Sequence, residues 1–214
     1  GCGMSALPKE ALRRGWCPST LRPMETGDGW LVRLHPPGAK LAPAQLRRIA
    51  SLAAEHGNGL IEISARANLQ IRGVTAESQP KLVERLLAER LVDEHDGDGP
   101  QRVTLISPIA GRDPTSLIDT IALAEQIEQR ARAISGLPAK LGIVVDDGGP
   151  QALDSFSCDI RLGGVGAANA ALCLAGRIWF SPIPATEVAP TVEAILHGFV
   201  AWRGAAPDRI RRLR

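Results

Sequence analysis

The sequence predicts an α+β chain in two regions, and three observations predict it. Short β-branched runs with a side-chain period of two alternate with longer runs whose apolar residues recur at helical spacing. In the first region the order is strand, helix, strand, strand, helix, which is most of a ferredoxin-like split βαβ unit. An acidic, glycine-rich stretch, Asp93–Gly99, then reads as a linker before a second region with its own strands and helices.

Taken in order, Trp30–Leu34 reads as a strand ended by Pro36 and Pro37, since proline removes a ladder donor. From Pro43, suited to a first helical position, to His56, the residues Leu46, Ile49, Ala50 and Ala53 recur at i, i+3, i+4 and i+7. Gly57 follows as a helix stop. Gly59–Ser64 and Leu69–Gly73 give two more strands, and Pro80–Leu91 a second helix with Val83, Leu86 and Leu87 inward. The second region opens with a strand over Arg102–Ser107. A helix over Ser116–Ser135 follows, with a stripe of Leu117, Ile121, Ala124, Ile127 or Glu128, Ala131 and Ile134, and Gly136 and Pro138 end it. Ile143–Val145, Ser157–Leu162 and Ile178–Ser181 are strand candidates, separated by glycine-containing turns at Asp146–Gly149, Gly163–Gly166 and Ala175–Gly176. Residues 152–175 are weakly patterned. A last helix from Thr186 to Trp202 carries Val188, Val192, Ile195, Phe199 and Trp202 on one side.

Composition bounds the function classes. The chain has 214 residues, 44% hydrophobic and 22% charged, enough for one large domain or two small ones. A net charge of +2 gives no support for nucleic-acid binding, and the arginines at 203, 209, 211, 212 and 214 read as a solvated or interfacial helix end. No stretch reaches the ~20 apolar residues that span a bilayer, and no signal peptide precedes the first element, so no membrane partner and a cytoplasmic location are expected. Cys2, Cys17, Cys158 and Cys173 contain no C-x-x-C pair, and the four histidines are scattered, so no metal site is expected within the chain. Asp146-Asp147-Gly148-Gly149 has the composition of a turn rather than of an acid/base pair, and Gly163–Gly166 lacks the Lys-Ser/Thr end of a phosphate loop.

The richest stretch runs from Glu62 to Gly73. It sets Arg66, Asn68, Gln70 and Arg72 at two-residue intervals, so a strand would project all four from one face and bury Leu69 and Ile71 on the other. Two guanidinium groups and two amides in a row suit a flat polyanion bearing several carboxylates. The same pattern also describes a solvated sheet face with ordinary cross-strand polar pairs.

Ser64–Gly73 resembles the Thr-x-Arg-x-Asn-x-Gln-x-Arg-Gly signature in the first half of the sirohaem-dependent nitrite and sulfite reductases, where it lines the pocket of an octacarboxylate tetrapyrrole. Gly15-Trp16-Cys17-Pro18 and Arg22-Pro23-Met24-Glu25-Thr26-Gly27-Asp28-Gly29 resemble the N-terminus of the precorrin-3B synthases, a cobalamin-pathway branch of the same superfamily. The resemblance implies a ferredoxin-like half domain over residues 15–92, followed over 100–214 by the first, cluster-free lobe of a nitrite/sulfite-reductase-type core. It also implies carboxylate anchors at Arg66 and Gln70, with Asn68 and Arg72 as partners in that grip and Arg33 facing the distal side of the macrocycle. Lys140 matches one member of a lysine pair in the sulfite reductases, although by pattern alone it is an exposed turn lysine. The pair's second position is Gly142. The distal-arginine position near Val103 is Gln101, with Arg102 displaced by one residue and hence turned to the other face of a strand.

The superfamily has two pseudo-symmetric repeats, so the resemblance implies an N-terminal half whose partners are the second repeat, an electron donor and a tetrapyrrole, either precorrin-3A or sirohaem. A [4Fe–4S] cluster and a non-haem iron are implied but not ligated by this chain. The expected function is the tetrapyrrole-binding half of an enzyme for oxygen-dependent hydroxylation and lactone formation on precorrin-3A. Half of a sirohaem-dependent nitrite or sulfite reductase, or a non-catalytic tetrapyrrole-binding module, are the alternatives.

Overall fold

The computed structural model describes residues 17–64, 67–95, 99–166, 168–204 and 212–213. The chain divides into two compact units, Gly1–Asp96 and Gly97–Arg214.

In the first unit an antiparallel sheet has the order β1-β2-β4-β3, built from β1 (Met24–Thr26), β2 (Gly29–Leu34), β3 (Ile61–Ile63) and β4 (Leu69–Val74). Helices α1 (Pro43–His56) and α2 (Gln79–Ala88) cover one face. Val32, Leu34, Leu69, Ile71 and Val74 meet Ile49, Leu52, Ala53, Leu82 and Leu86 there. Each such enclosed aliphatic side chain contributes roughly 1.5–3 kcal/mol.

Two details differ from the sequence expectation. The buried stripe of α1 is Ile49, Leu52, Ala53 and His56, while Leu46 and Ala50 are exposed. A 3.6-residue period admits both stripes, since Ile49 and Ala53 belong to each, and packing against the sheet selects the second. Helix α2 stops before Leu91 because Arg90 takes φ +51°, and Leu91 N donates to Leu86 O at 2.9 Å in a Schellman-type ending. Leu82 rather than Leu87 then fills the core, leaving Leu87 exposed. The expected linker also begins later than its composition indicates: Asp93 N donates to His35 O at 2.8 Å, and the Glu94 side chain is fully enclosed.

The second unit has a mixed sheet in the order β10-β8-β7-β6-β5, with β9 also paired to β8. Its strands are β5 (Thr104–Ile106), β6 (Ile143–Asp146), β7 (Ile160–Gly164), β8 (Asn169–Leu174), β9 (Ile178–Trp179) and β10 (Ile183–Pro184). The β5–β6 and β6–β7 pairs are parallel and the rest antiparallel. Helices α3 (Thr120–Arg132) and α4 (Ala185–Arg203) pack on Ile143, Val145, Ile160, Leu162 and Leu172. Val144 points the other way, into a small cluster with Leu153 and Cys158, so β6 is buried on both faces and reads as a continuous apolar run.

Helix α3 starts four residues later than its apolar stripe predicts, because the Asp119 carboxylate accepts Ala122 N at 3.0 Å and caps it there. Gly163 and Gly164, expected in a turn, continue β7. The carbonyl of Asp147 packs where a Cβ of Gly164 would stand, at 2.6 Å. β8 was not foreseen: its Asn-Ala-Ala-Leu-Cys-Leu sequence has little β-branching, and pairing with three neighbours holds it in the sheet. The expected strand over Ile178–Ser181 is reduced to β9, after which the chain turns into β10.

Candidate functional site

In the first unit β2 and β4 set Arg33 directly opposite Gln70, and β3 sets Glu62 opposite Gln70 from the other side. The core residues of β2 and β4 occupy the helix-covered face, so this cross-strand row lies on the opposite one. Arg33 donates from Nε and Nη2 to Gln70 Oε1 at 3.0 and 2.6 Å, and Gln70 Nε2 donates to Glu62 Oε2 at 3.4 Å. Gln70 is 7% exposed, held rigidly between its neighbours.

Arg72 shares this face. Its Nε and Nη2 donate to the two carboxylate oxygens of Asp28 at 3.1 and 2.6 Å, and Nη1 reaches Glu62 Oε2 at 3.4 Å. Asp28, in the β1–β2 turn, also accepts from Thr26 Oγ1 at 2.9 Å and Asn58 Nδ2 at 3.1 Å. The Arg72 guanidinium, aided by Thr26, pulls the Asp28 carboxyl down to about 2. The same bond pushes Arg72 above its ordinary range.

The position of Arg72 depends on a bulge. Trp30 pairs with Val74 but Val32 pairs with Ile71, so β4 carries one extra residue there. Gly73 accommodates it at φ +69°, and a Cβ on Gly73 would fall 2.5 Å from the Asn58 side chain. The Arg-Gly word that closes the motif therefore has a local cause: the glycine makes the bend beside which Arg72 meets Asp28.

The even alternation expected of the four polar residues does not extend from β4 to Asn68. Ahead of β4, Ser64 N donates to Asn68 O at 2.9 Å and Asn68 N to Ser64 Oγ at 3.1 Å, with Ala67 at φ +57°, so Asn68 stands outside the strand. Of the described polar residues, the strand period applies to Gln70 and Arg72, and half-buried Asn68 sits just before β4. Arg66 lies outside the described residues. Arg33, expected to face the distal side of a macrocycle, donates directly to Gln70. Lys140 is an exposed turn residue of the second unit, in a turn closed by Leu141 N to Pro138 O at 2.9 Å. Gln101 and Arg102 both precede β5, so strand parity does not govern them.

Two acidic members of the face, Asp28 and Glu62, were not singled out from the sequence. Glu62 was legible as the cross-strand partner of Gln70 once the hairpin was paired, whereas Asp28 is separated from Arg72 by 44 positions.

At the end of β2 a second cluster is enclosed. The Thr20 hydroxyl lies 2.9 Å from Glu94 Oε1 and 3.1 Å from the carbonyl of Arg33, and His35 Nδ1 is 2.8 Å from Glu94 Oε1. Burial raises the Glu94 carboxyl, but the bonds from His35 and Thr20 outweigh it and leave the group below its ordinary range. His35, one of the four scattered histidines, is therefore a buried partner that ties the Arg33 strand to residue 94.

Asp146 and Asp147 of the second unit hold backbone. Asp146 accepts Gly148 N and Leu153 N at 2.9 and 2.8 Å, and Asp147 accepts Gly149 N at 2.8 Å and Ser116 Oγ at 3.0 Å. Burial pushes the Cys158 thiol up, against thiolate ligation, and Cys158 and Cys173 are both buried. Among the described residues no group of three or more His, Cys, Asp or Glu could hold a metal ion, and no helix is long and apolar enough to cross a membrane.

Residues 22–89 match the nitrite/sulfite reductase ferredoxin-like half domain. Precorrin-3B synthase from Sinorhizobium sp is 34% identical over 198 residues, which are 88% of this chain and 39% of that protein. The chain is a homologue of precorrin-3B synthase. Ferredoxin–nitrite reductase from Synechococcus elongatus is 31% identical over 64% of this chain and 28% of its own length. The Mycobacterium tuberculosis NirA protein superposes with a TM-score of 0.58 at 22% identity, covering 86% of this chain and 34% of NirA, and so shares the fold. The chain thus spans well under half the length of these relatives.

Proposed function

We propose that this chain supplies the tetrapyrrole-carboxylate-binding half of an oxidoreductase of the precorrin-3B synthase type, with precorrin-3A as the macrocycle. The observation that carries the reading is the preorganised row in which Arg33 and Gln70 meet at one register position and Arg72 follows on the same face. Guanidinium and amide donors fixed on a sheet bind carboxylates at little entropic cost, and the flat face suits a flat macrocycle. Asn68 at the adjoining loop end and Arg66 extend the set of carboxylate donors.

In this reading the chain's own residues bind and orient. Thr20 fixes the carbonyl of Arg33, so the guanidinium is presented from an anchored strand. A [4Fe–4S] cluster and a non-haem iron would supply the electron transfer and oxygen chemistry. Cys17, Cys158 and Cys173 do not fit a four-thiolate set, so the ligands would come from a second repeat. A cytoplasmic location and an external electron donor belong to the same proposal.

Half of a sirohaem-dependent nitrite reductase is the second reading, favoured by the likeness to the ferredoxin–nitrite reductases. Absorbance titration of the purified chain with precorrin-3A and with sirohaem separates the two. Selective binding of precorrin-3A, weakened in Gln70→Ala and Arg66→Ala, is the expected result. Preference for sirohaem would move the assignment to the reductases, and binding of neither would remove carboxylate recognition from this chain acting alone.

A further inference from the structure

We propose, resting on the carboxylate-binding reading above, that Asp28 is an internal competitor for Arg72: its carboxylate occupies the guanidinium until a ligand carboxylate displaces it. Asp28 engages Arg72 through two parallel donors at 3.1 and 2.6 Å, the fork geometry with which arginine takes any carboxylate. A ligand carboxylate must therefore replace Asp28 or approach through the remaining edge, which Glu62 borders at 3.4 Å.

The two acidic neighbours are not equivalent. Glu62 stands on β3, fixed in register opposite Gln70, and its contacts to Arg72 and Gln70 are both long. Asp28 stands in a two-residue turn between β1 and β2, with a side chain 35% exposed. It can swing toward solvent without breaking a strand pair. When it leaves, Thr26 Oγ1 keeps an acceptor in Gly29 O at 2.5 Å, and only Asn58 Nδ2 turns to water.

Competition has two consequences. With Asp28 and Glu62 opposite Arg33 and Arg72, the described polar face is close to charge balance, so a simple anion gains little by binding there. A ligand with several carboxylates placed to meet Arg33, Gln70 and Arg72 together recovers the cost of displacing Asp28, whereas a monocarboxylate does not. Asp28 thereby becomes a specificity-determining residue that selects for polycarboxylates.

The test uses the whole chain and a probe independent of any tetrapyrrole. The Arg72 Nε–Hε NMR signal, assigned by its loss in Arg72→Lys, is followed as 1,2,3,4-butanetetracarboxylate is added to wild type, Asp28→Asn and Glu62→Gln. The expected result is a midpoint about five-fold lower in Asp28→Asn than in wild type, with a smaller change in Glu62→Gln. Equal midpoints in wild type and Asp28→Asn, a larger gain in Glu62→Gln, or no movement of Arg72 in any of the proteins would each overturn the competition. A parallel absorbance titration with precorrin-3A keeps the two failures apart. A competing Asp28 with no macrocycle binding would leave the competition standing and remove the tetrapyrrole reading.

Discussion

The two units use their carboxylates in opposite ways. On the open sheet face of the first unit Asp28 and Glu62 meet arginine and glutamine side chains, at exposures that let water and ligands compete. In the second unit Glu128, Asp146, Asp147 and Asp159 are buried and bind backbone amides. A carboxylate that meets a side chain within reach of solvent can be exchanged, whereas one that satisfies buried amides cannot be removed without leaving them unpaired. The difference predicts that carboxylate substitutions cost folding in the second unit and change binding in the first.

The largest effect is expected at Asp159. It is fully buried and accepts Gly142 N at 3.0 Å, Arg212 Nε at 2.9 Å and Leu213 N at 2.9 Å, so it clamps the C-terminal segment to the start of β6. Asp159→Ala strands both a partly buried guanidinium and two amides, and should lower stability by about 3–5 kcal/mol in urea unfolding. A loss below about 1 kcal/mol, the size of an exposed ion pair, would erase the distinction between the units.

Next comes Glu128, on the α3 face toward β5. Its carboxylate accepts Val103 N at 3.0 Å, Thr104 N at 2.7 Å and the Thr104 hydroxyl at 2.5 Å. Glu128→Ala leaves buried donors unmatched and should cost about 2–3 kcal/mol. Glu128→Gln, which keeps one acceptor oxygen, should cost less, and the ordering of the two substitutions checks that the acceptor rather than the volume matters.

These residues also mark what could be read in advance. Strands β2 and β6 follow from apolar period and β-branching alone, because each is dominated by the side chains that pack, whereas helix α4 was legible in extent but not in its inner stripe: Ala189 and Leu196 are buried and Trp202 is 60% exposed. Glu128 fell within the expected stripe of α3, but its role depends on β5 ending at the right height, which is tertiary information. The polar face was legible in Gln70, Arg72 and Arg33, and its acidic half was not, since Asp28 reaches Arg72 only through the hairpin and the Gly73 bulge. That Asn68 stands outside β4 was hidden by the same regular alternation that marks the motif.

Within the first unit the backbone, rather than any carboxylate, should dominate stability. Gly73→Ala places a Cβ at φ +69° and 2.5 Å from the Asn58 side chain, so the bulge must deform, at about 1–3 kcal/mol. Because Arg72 precedes the bulge, the same substitution should weaken carboxylate binding. Unchanged binding with reduced stability would detach the bulge from the site.

The smallest effect is expected where the first unit departs from its own rule, at the enclosed Glu94–His35 contact of 2.8 Å. Glu94 has a folded-state carboxyl held below its ordinary value, although burial works against it, because His35 and Thr20 both bond to the charged form. A depressed carboxyl contributes stability that is fully present above the unfolded-state value and is lost as pH falls through the folded one. The stability difference between wild type and Glu94→Gln should therefore be constant near neutrality and shrink as pH falls from about 5 toward 3. His35→Gln should reduce that pH dependence, since it removes the largest bond that favours the carboxylate. A difference that grew on acidification would mean that burial, not the His35 bond, controls the group, and the pair would then oppose folding instead of tying β2 to residue 94.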